Sequence, residues 1–217
     1  MIKINIEMKK GHYFSGIFIA VFVGIHLLNH LIGLGGIKEH IEFMEKLRVY
    51  YRNIFIELIL LGAIIFQIFS GLSLFRTKIK TANSSFEKIQ VWSGLYLAVF
   101  FSFHIFAVVF GRYLLHLETN YYFGAAGLNI FPFNLFFLPY YALAILSFFG
   151  HIAATHSKRM NRNFLGLDPK SQAKIMIGTG FLVTMLIFCA MTDYFKGVKI
   201  PQAYDVLIGK YGILLGK

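Results

Sequence analysis

Charge is scarce in this chain: charged side chains make up 14% of 217 residues, and only 10 are Asp or Glu. So few ionisable groups cannot solvate a folded domain of this size. With 57% hydrophobic residues, 18% aromatic residues and a mean hydropathy of +0.65, an ordinary soluble protein is excluded. Cysteine is nearly absent. Cys189 stands alone in an apolar run, so it forms no intrachain disulfide and cannot hold an iron–sulfur cluster, and no flavin motif accompanies it. A cleavable signal is also not expected, because the first apolar run extends past a signal core and lacks a small-residue cleavage site.

Apolar runs near Tyr13–Leu34, Ile54–Phe75, Val91–Leu115, Phe133–Ala154 and Ile175–Met191 read as five membrane spans within a single transmembrane domain covering 1–217. The formal charge of +11 does not point to nucleic acid, since Lys and Arg lie in short segments between spans, where they serve topology and lipid headgroups. The N-terminus (Lys3, Lys9, Lys10), the second connection (Arg76, Lys78, Lys80, Lys88) and the fourth (Lys158, Arg159, Arg162, Lys170, Lys174) are basic. The third connection has only Arg112. The expectation is an all-α five-transmembrane-helix bundle with its N-terminus in the cytoplasm, integral to a bacterial-type cytoplasmic (inner) membrane and in contact with its lipid. Residues 37–51 carry apolar side chains at helical spacing and read as an interfacial helix on the outer face. Asn120–Asn134 reads as an aromatic, glycine-rich interfacial loop, and Ile200–Lys217 as an interfacial tail.

Within the spans the chain repeats itself. Ser15-Gly16-Ile17-Phe18-Ile19-Ala20-Val21-Phe22-Val23-Gly24-Ile25-His26 aligns without a gap to Ser93-Gly94-Leu95-Tyr96-Leu97-Ala98-Val99-Phe100-Phe101-Ser102-Phe103-His104, and Gly33 matches Gly111. Phe69-Ser70-Gly71 falls at nearly the same offset from Phe148-Phe149-Gly150, which suggests an internal helix-pair repeat. At about 1.5 Å per residue, both aligned histidines lie roughly 18 Å deep. Equal-depth histidines on parallel spans suit the two axial bonds of a haem iron, with Gly24 and Ser102 leaving room for a flat macrocycle. Zinc is a poorer match, because no Cys, Asp or Glu lies at that depth.

Other polar residues take places around this pair. His30, one turn from His26, and Arg112, two turns from His104, point toward the outer end, where propionates would sit. Arg112 can equally be a snorkelling interfacial cation. His151, near the inner end of the fourth span, and His12, near that of the first, lie at a second depth. The second span offers only Gln67 and Leu72 where a histidine facing His151 is sought, so one haem is expected and a second would depend on His151. His116 and His156 read as headgroup-level residues, and His40 as part of the surface helix. Glu57, near Arg48 and Arg52, either pairs with Arg52 or accepts protons from a quinol. Ser15, Ser70, Ser93 and Trp92 could contact a quinone carbonyl or serve as helix caps.

With these residues in place, the chain resembles the di-haem, five-helix cytochrome b membrane subunit of succinate:quinone oxidoreductase and fumarate reductase across roughly its first four spans. The resemblance implies axial haem ligands at His26 and His104, an inner haem for which only His151 matches, and a quinol-linked acid at Glu57. His12-Tyr13-Phe14-Ser15-Gly16 is similar to the start of the first span in related anchors, with Tyr13 in place of arginine. It further implies b-type haem and quinone as cofactors, and flavoprotein and iron–sulfur partners at the cytoplasmic face. Two other readings stand beside it: a stand-alone transmembrane haem-b electron-transfer protein, and a cofactor-free transporter or scaffold with histidines that bind substrate or each other.

Overall fold

The computed structural model describes residues 6–210; Lys3 and the last part of the C-terminal tail, 211–217, lie outside the described residues. Among the described residues seven α-helices follow one another: α1 (Ile6–Ile32), α2 (Ile37–Tyr51), α3 (Ile54–Lys78), α4 (Ser85–Tyr113), α5 (Tyr121–Asn129), α6 (Asn134–Arg159) and α7 (Pro169–Met191). Five of them, α1, α3, α4, α6 and α7, are long and apolar enough to cross a membrane. The protein is therefore a multi-pass helical membrane protein.

Local sequence explains where the helices start. Asn53 accepts the amide of Phe55 ahead of α3. Ser84 and Glu87 form a reciprocal capping box on α4, and Asp168 accepts the Ser171 amide with Pro169 at the first position of α7. The long helices pack in the order α1, α3, α4, α6, α7, and α7 returns to α1 to close a ring. Large apolar side chains such as Phe69 and Leu135, 70% and 68% exposed, form the exterior. His40, Ser70, Ser93 and Asn29 turn inward. That inversion relative to a soluble protein is what a lipid solvent requires, since lipid offers polar groups no partners.

One end of the ring carries Lys9, Lys10, Arg76, Lys78, Lys88, Lys158 and Arg159, and is called the basic end below. The other is capped by α2, α5 and the turn of helix at Gln202–Ile208. Beneath this cap Leu27, Tyr121, Leu128, Ile145, Ile187 and Met191 form the larger apolar core, while Ile19, Leu60 and Ile64 close the gap between α1 and α3.

Two segments differ from the sequence reading. The Asn120–Asn134 stretch is no loop for most of its length: Asn120 caps α5, Tyr121 is 1% exposed and its hydroxyl donates to the Ala190 carbonyl at 2.9 Å. Its glycines look like breakers in sequence, but they admit neighbours; a Cβ at Gly127 would collide with the Phe137 ring. The tail as far as Lys210 is likewise docked, with Tyr204 buried and its hydroxyl 2.8 Å from Asn120 Oδ1.

Candidate functional site

A cavity of about 1090 Å³ opens between α1, α3, α4 and α6 in the half of the bundle nearest the basic end. That is slightly above the roughly 300–1,000 Å³ typical of small-molecule sites. Its walls are mainly apolar, Lys9, Lys78, Lys158 and Arg159 stand among its lining residues, and His12, His151 and Gln67 line it deeper in.

The two histidines are fixed in the same way from opposite walls. His12 Nδ1 lies 2.8 Å from Ser70 Oγ on α3. The Ser70 hydroxyl already donates its single proton to the Phe66 carbonyl at 2.6 Å, so it accepts from the imidazole. His151 Nδ1 lies 3.0 Å from the Gln90 carbonyl and 3.3 Å from Ser93 Oγ, whose proton goes to the Ile89 carbonyl at 2.6 Å. Both protons are therefore on Nδ1, and both Nε2 lone pairs are left without a hydrogen-bond partner among the described residues. Glycines make room for the rings. A Cβ at Gly94 would come within 3.0 Å of His151 Cε1, and one at Gly71 within 3.5 Å of His12 Cε1. Gln67 Oε1 is buried without a partner among the described residues.

The aligned pair sits beyond this cavity, whose lining reaches Val21 and Phe101 but includes neither His26 nor His104. Their ring centres are 6.3 Å apart at 66°. Phe22 stacks on His26 and Phe100 on His104. His26 Nε2 is 3.2 Å from His30 Nε2, and His30 Nδ1 is 3.2 Å from His40 Nε2, so three imidazoles form a buried chain toward the cap. Gly24 and Ser102, expected to leave space here, lie on the exposed face instead, because each points away from the ring interior.

The remaining candidates are engaged individually. Arg112 Nη1 donates to Glu57 Oε1 at 2.7 Å, so Glu57 is paired with Arg112 and not with Arg52, and neither side chain is free. Arg52 instead reaches Thr119 at 3.2 Å and Glu118 at 3.9 Å. Ser15 Oγ donates to the Gly11 carbonyl at 2.8 Å. Trp92 is 58% exposed, packed edge-on against Phe75. His156 pairs with Gln172 at 2.8 Å. His40 is not a surface residue: at 1% exposure it lies under α2, where burial, then His26 and Arg48, hold it down at about 4.

Sequence reasoning set His12 and His151 at one depth but sought the partner of His151 on the second span, and it gave Arg48 only a place near Glu57. The signal for His12 was its equal distance from the basic end with His151, which shows once Ser70 and Ser93 are seen eight residues inside their helices. Among the described residues no group of three or more His, Cys, Asp or Glu side chains is arranged to hold a metal ion. What the fold and site define is a class, a helical membrane protein with a histidine-walled internal cavity. No family model, no curated protein and no solved structure matches the chain.

Proposed function

We propose that this chain is a transmembrane haem-b electron-transfer protein working with membrane quinone. The observation that supports it most is the pair His12 and His151, with Nδ1 pinned and Nε2 free, on opposite walls of one large cavity. A small ion needs about four protein ligands. A macrocycle supplies four of its own and asks for two, and ligating imidazoles characteristically donate their other nitrogen to a carbonyl or similar acceptor. The apolar walls suit the ring, and Lys9, Lys78, Lys158 and Arg159 suit its carboxylates. Bound there, haem would supply one-electron redox chemistry; the residues hold it, exclude water and set its potential.

A second position is favoured by His26 and His104. Their ring centres are 6.3 Å apart, and because the cavity does not reach them, a macrocycle between them would require Phe22 and Phe100 to move aside. Occupation would require His26 Nε2 to leave His30.

In this reading the protein lies in a bacterial-type cytoplasmic membrane with its basic end inside, by the positive-inside rule. The resemblance to the succinate:quinone oxidoreductase and fumarate reductase anchor makes that end the docking face for flavoprotein and iron–sulfur partners, with Glu57 near the quinol at the opposite face. Purification without detergent-stripped lipid, followed by a pyridine haemochrome assay, tests the core of the reading. A Soret band with at least one haem per chain is expected, and haem-free protein from haem-replete cells overturns it. Copurification of soluble subunits then separates the anchor from a stand-alone carrier.

A further inference from the structure

Arg48 leaves the buried face of α2 with only 6% of its side chain exposed. Its Nη1 is committed twice, donating to Glu45 at 2.5 Å and to Glu118 at 3.0 Å. Nε and Nη2 are different. They form the side-on edge of the guanidinium, the edge that grips a carboxylate or phosphate with two parallel bonds, and both are buried with no well-aligned hydrogen bond among the described residues, the Tyr51 hydroxyl standing beside the guanidinium.

A third donor lies two turns earlier on the same face. Asn29 Nδ2 approaches His40 Nε2 at 3.3 Å, and an amide nitrogen can only donate. With the Asn29 amide in this orientation, its own Oδ1 being buried and unpartnered, the His40 proton is on Nδ1, which is also buried and unpartnered among the described residues. Helical side chains lean toward the helix N-terminus, so the Arg48 head reaches back toward His40. An unpartnered buried donor gives up its hydration with nothing in return, and a charged one gives up more. Three on one face of one helix is an arrangement that asks for an acceptor. Glu45 and Glu118 do not fill that need from outside, because they are 54% and 66% exposed and solvent screens their charge.

We propose that the inner face of α2 binds an oxyanion, a carboxylate or phosphate group, held bidentately by the Nε–Nη2 edge of Arg48 with His40 Nδ1 as a further donor. The site does not depend on haem in the inner cavity. The group can arrive on an amphiphile, a phospholipid or a tetrapyrrole side chain, or as a free ion, and the chemistry of recognition is the same.

Two measurements on the full chain test it. Native mass spectrometry of gently purified protein should show an anionic amphiphile retained by wild type and by Arg52→Gln, and reduced about tenfold or more in Arg48→Gln, the loss expected for a charge-assisted bidentate pair. If the source is a free ion, delipidated wild type should instead show a thermal midpoint that rises with inorganic phosphate against chloride at equal ionic strength, with no rise in Arg48→Gln. Retention of a phospholipid, of haem, or a response to phosphate alone identifies the source. Wild type that retains no anion and ignores phosphate overturns the proposal, as does equal retention in Arg48→Gln. Both wild-type readings stand even if the variant fails to fold.

Discussion

His12 and His151 face one cavity from opposite walls, and each gives its Nδ1 proton to an acceptor on the neighbouring helix, Ser70 on α3 and Gln90 on α4. The arrangement fixes tautomer and ring orientation before any ligand arrives. His12→Ala and His151→Ala are each expected to abolish the low-spin spectrum of a haem held there. Ser70→Ala removes only the support for one ligand, so its effect should be partial, about 10–100-fold in retention of the group. Reduced-minus-oxidised spectra of the three variants check this, and a spectrum untouched in both histidine variants rejects the pair.

Gly94 offers an independent handle on the same site. A Cβ there meets His151 Cε1 at 3.0 Å, tighter than most real Cβ contacts, so the ring has to give by a few tenths of an ångström. Gly94→Ala should lower haem content or shift its spectrum while the helices stay intact by circular dichroism. Larger residues at 94 should remove the haem entirely. Unchanged haem in Gly94→Leu would show that His151 does not ligate.

The spans were legible because hydropathy over some twenty residues reports the lipid solvent directly, and caps at Asn53, Ser84 and Asp168 are local signals. The inner pair was legible only as a shared depth, not as two residues facing one cavity. The repeat pairs His26 with His104, whereas His12 and His151 sit at unlike positions of their helices and meet only through the ring order of the bundle. Nor could sequence show that α2 turns His40 and Arg48 inward, since a helix with charges on most of its circumference reads as a surface element until α5 and the Tyr204 turn are seen packed over the same end.

The aligned pair predicts its own outcome. If His26 and His104 share an iron, wild type carries two haems per chain, and His26→Ala should lose one while His12→Ala loses the other. If the chain binds haem at the inner cavity alone, His26→Ala keeps the full spectrum. Haemochrome stoichiometry of the two variants decides, because the positions are separate and their losses should add.

His40 makes stability depend on pH in a set direction. Burial, with His26 and Arg48 beyond it, holds its pKa at about 4 against an ordinary 6.5. The unfolded chain thus takes up this proton before the folded one does. The contribution of His40 is fully present above pH 6.5, declines as pH falls, and is exhausted near pH 4. Thermal midpoints in detergent should fall across that window, and His40→Gln should flatten the fall relative to wild type. Parallel curves for the two proteins would remove His40 from the account.

Glu57 and Arg112 join α3 to α4 near the capped end at 2.7 Å, with side chains 19% and 27% exposed. Removing either charge leaves the other mostly buried without its counter-charge, but the two changes are not equivalent. Glu57→Gln keeps an oxygen that still accepts from Arg112 and loses only the ability to exchange a proton at working pH. Arg112→Leu strands the carboxylate, so it should lower the thermal midpoint more than Glu57→Gln does. If quinol is oxidised at this end, Glu57→Gln should slow quinol-linked turnover severalfold or more with the haem spectrum intact. Full turnover in Glu57→Gln would leave the pair as a structural tie between α3 and α4, and cysteine labelling that puts Asn120 on the cytoplasmic side would place the quinol face at the other end.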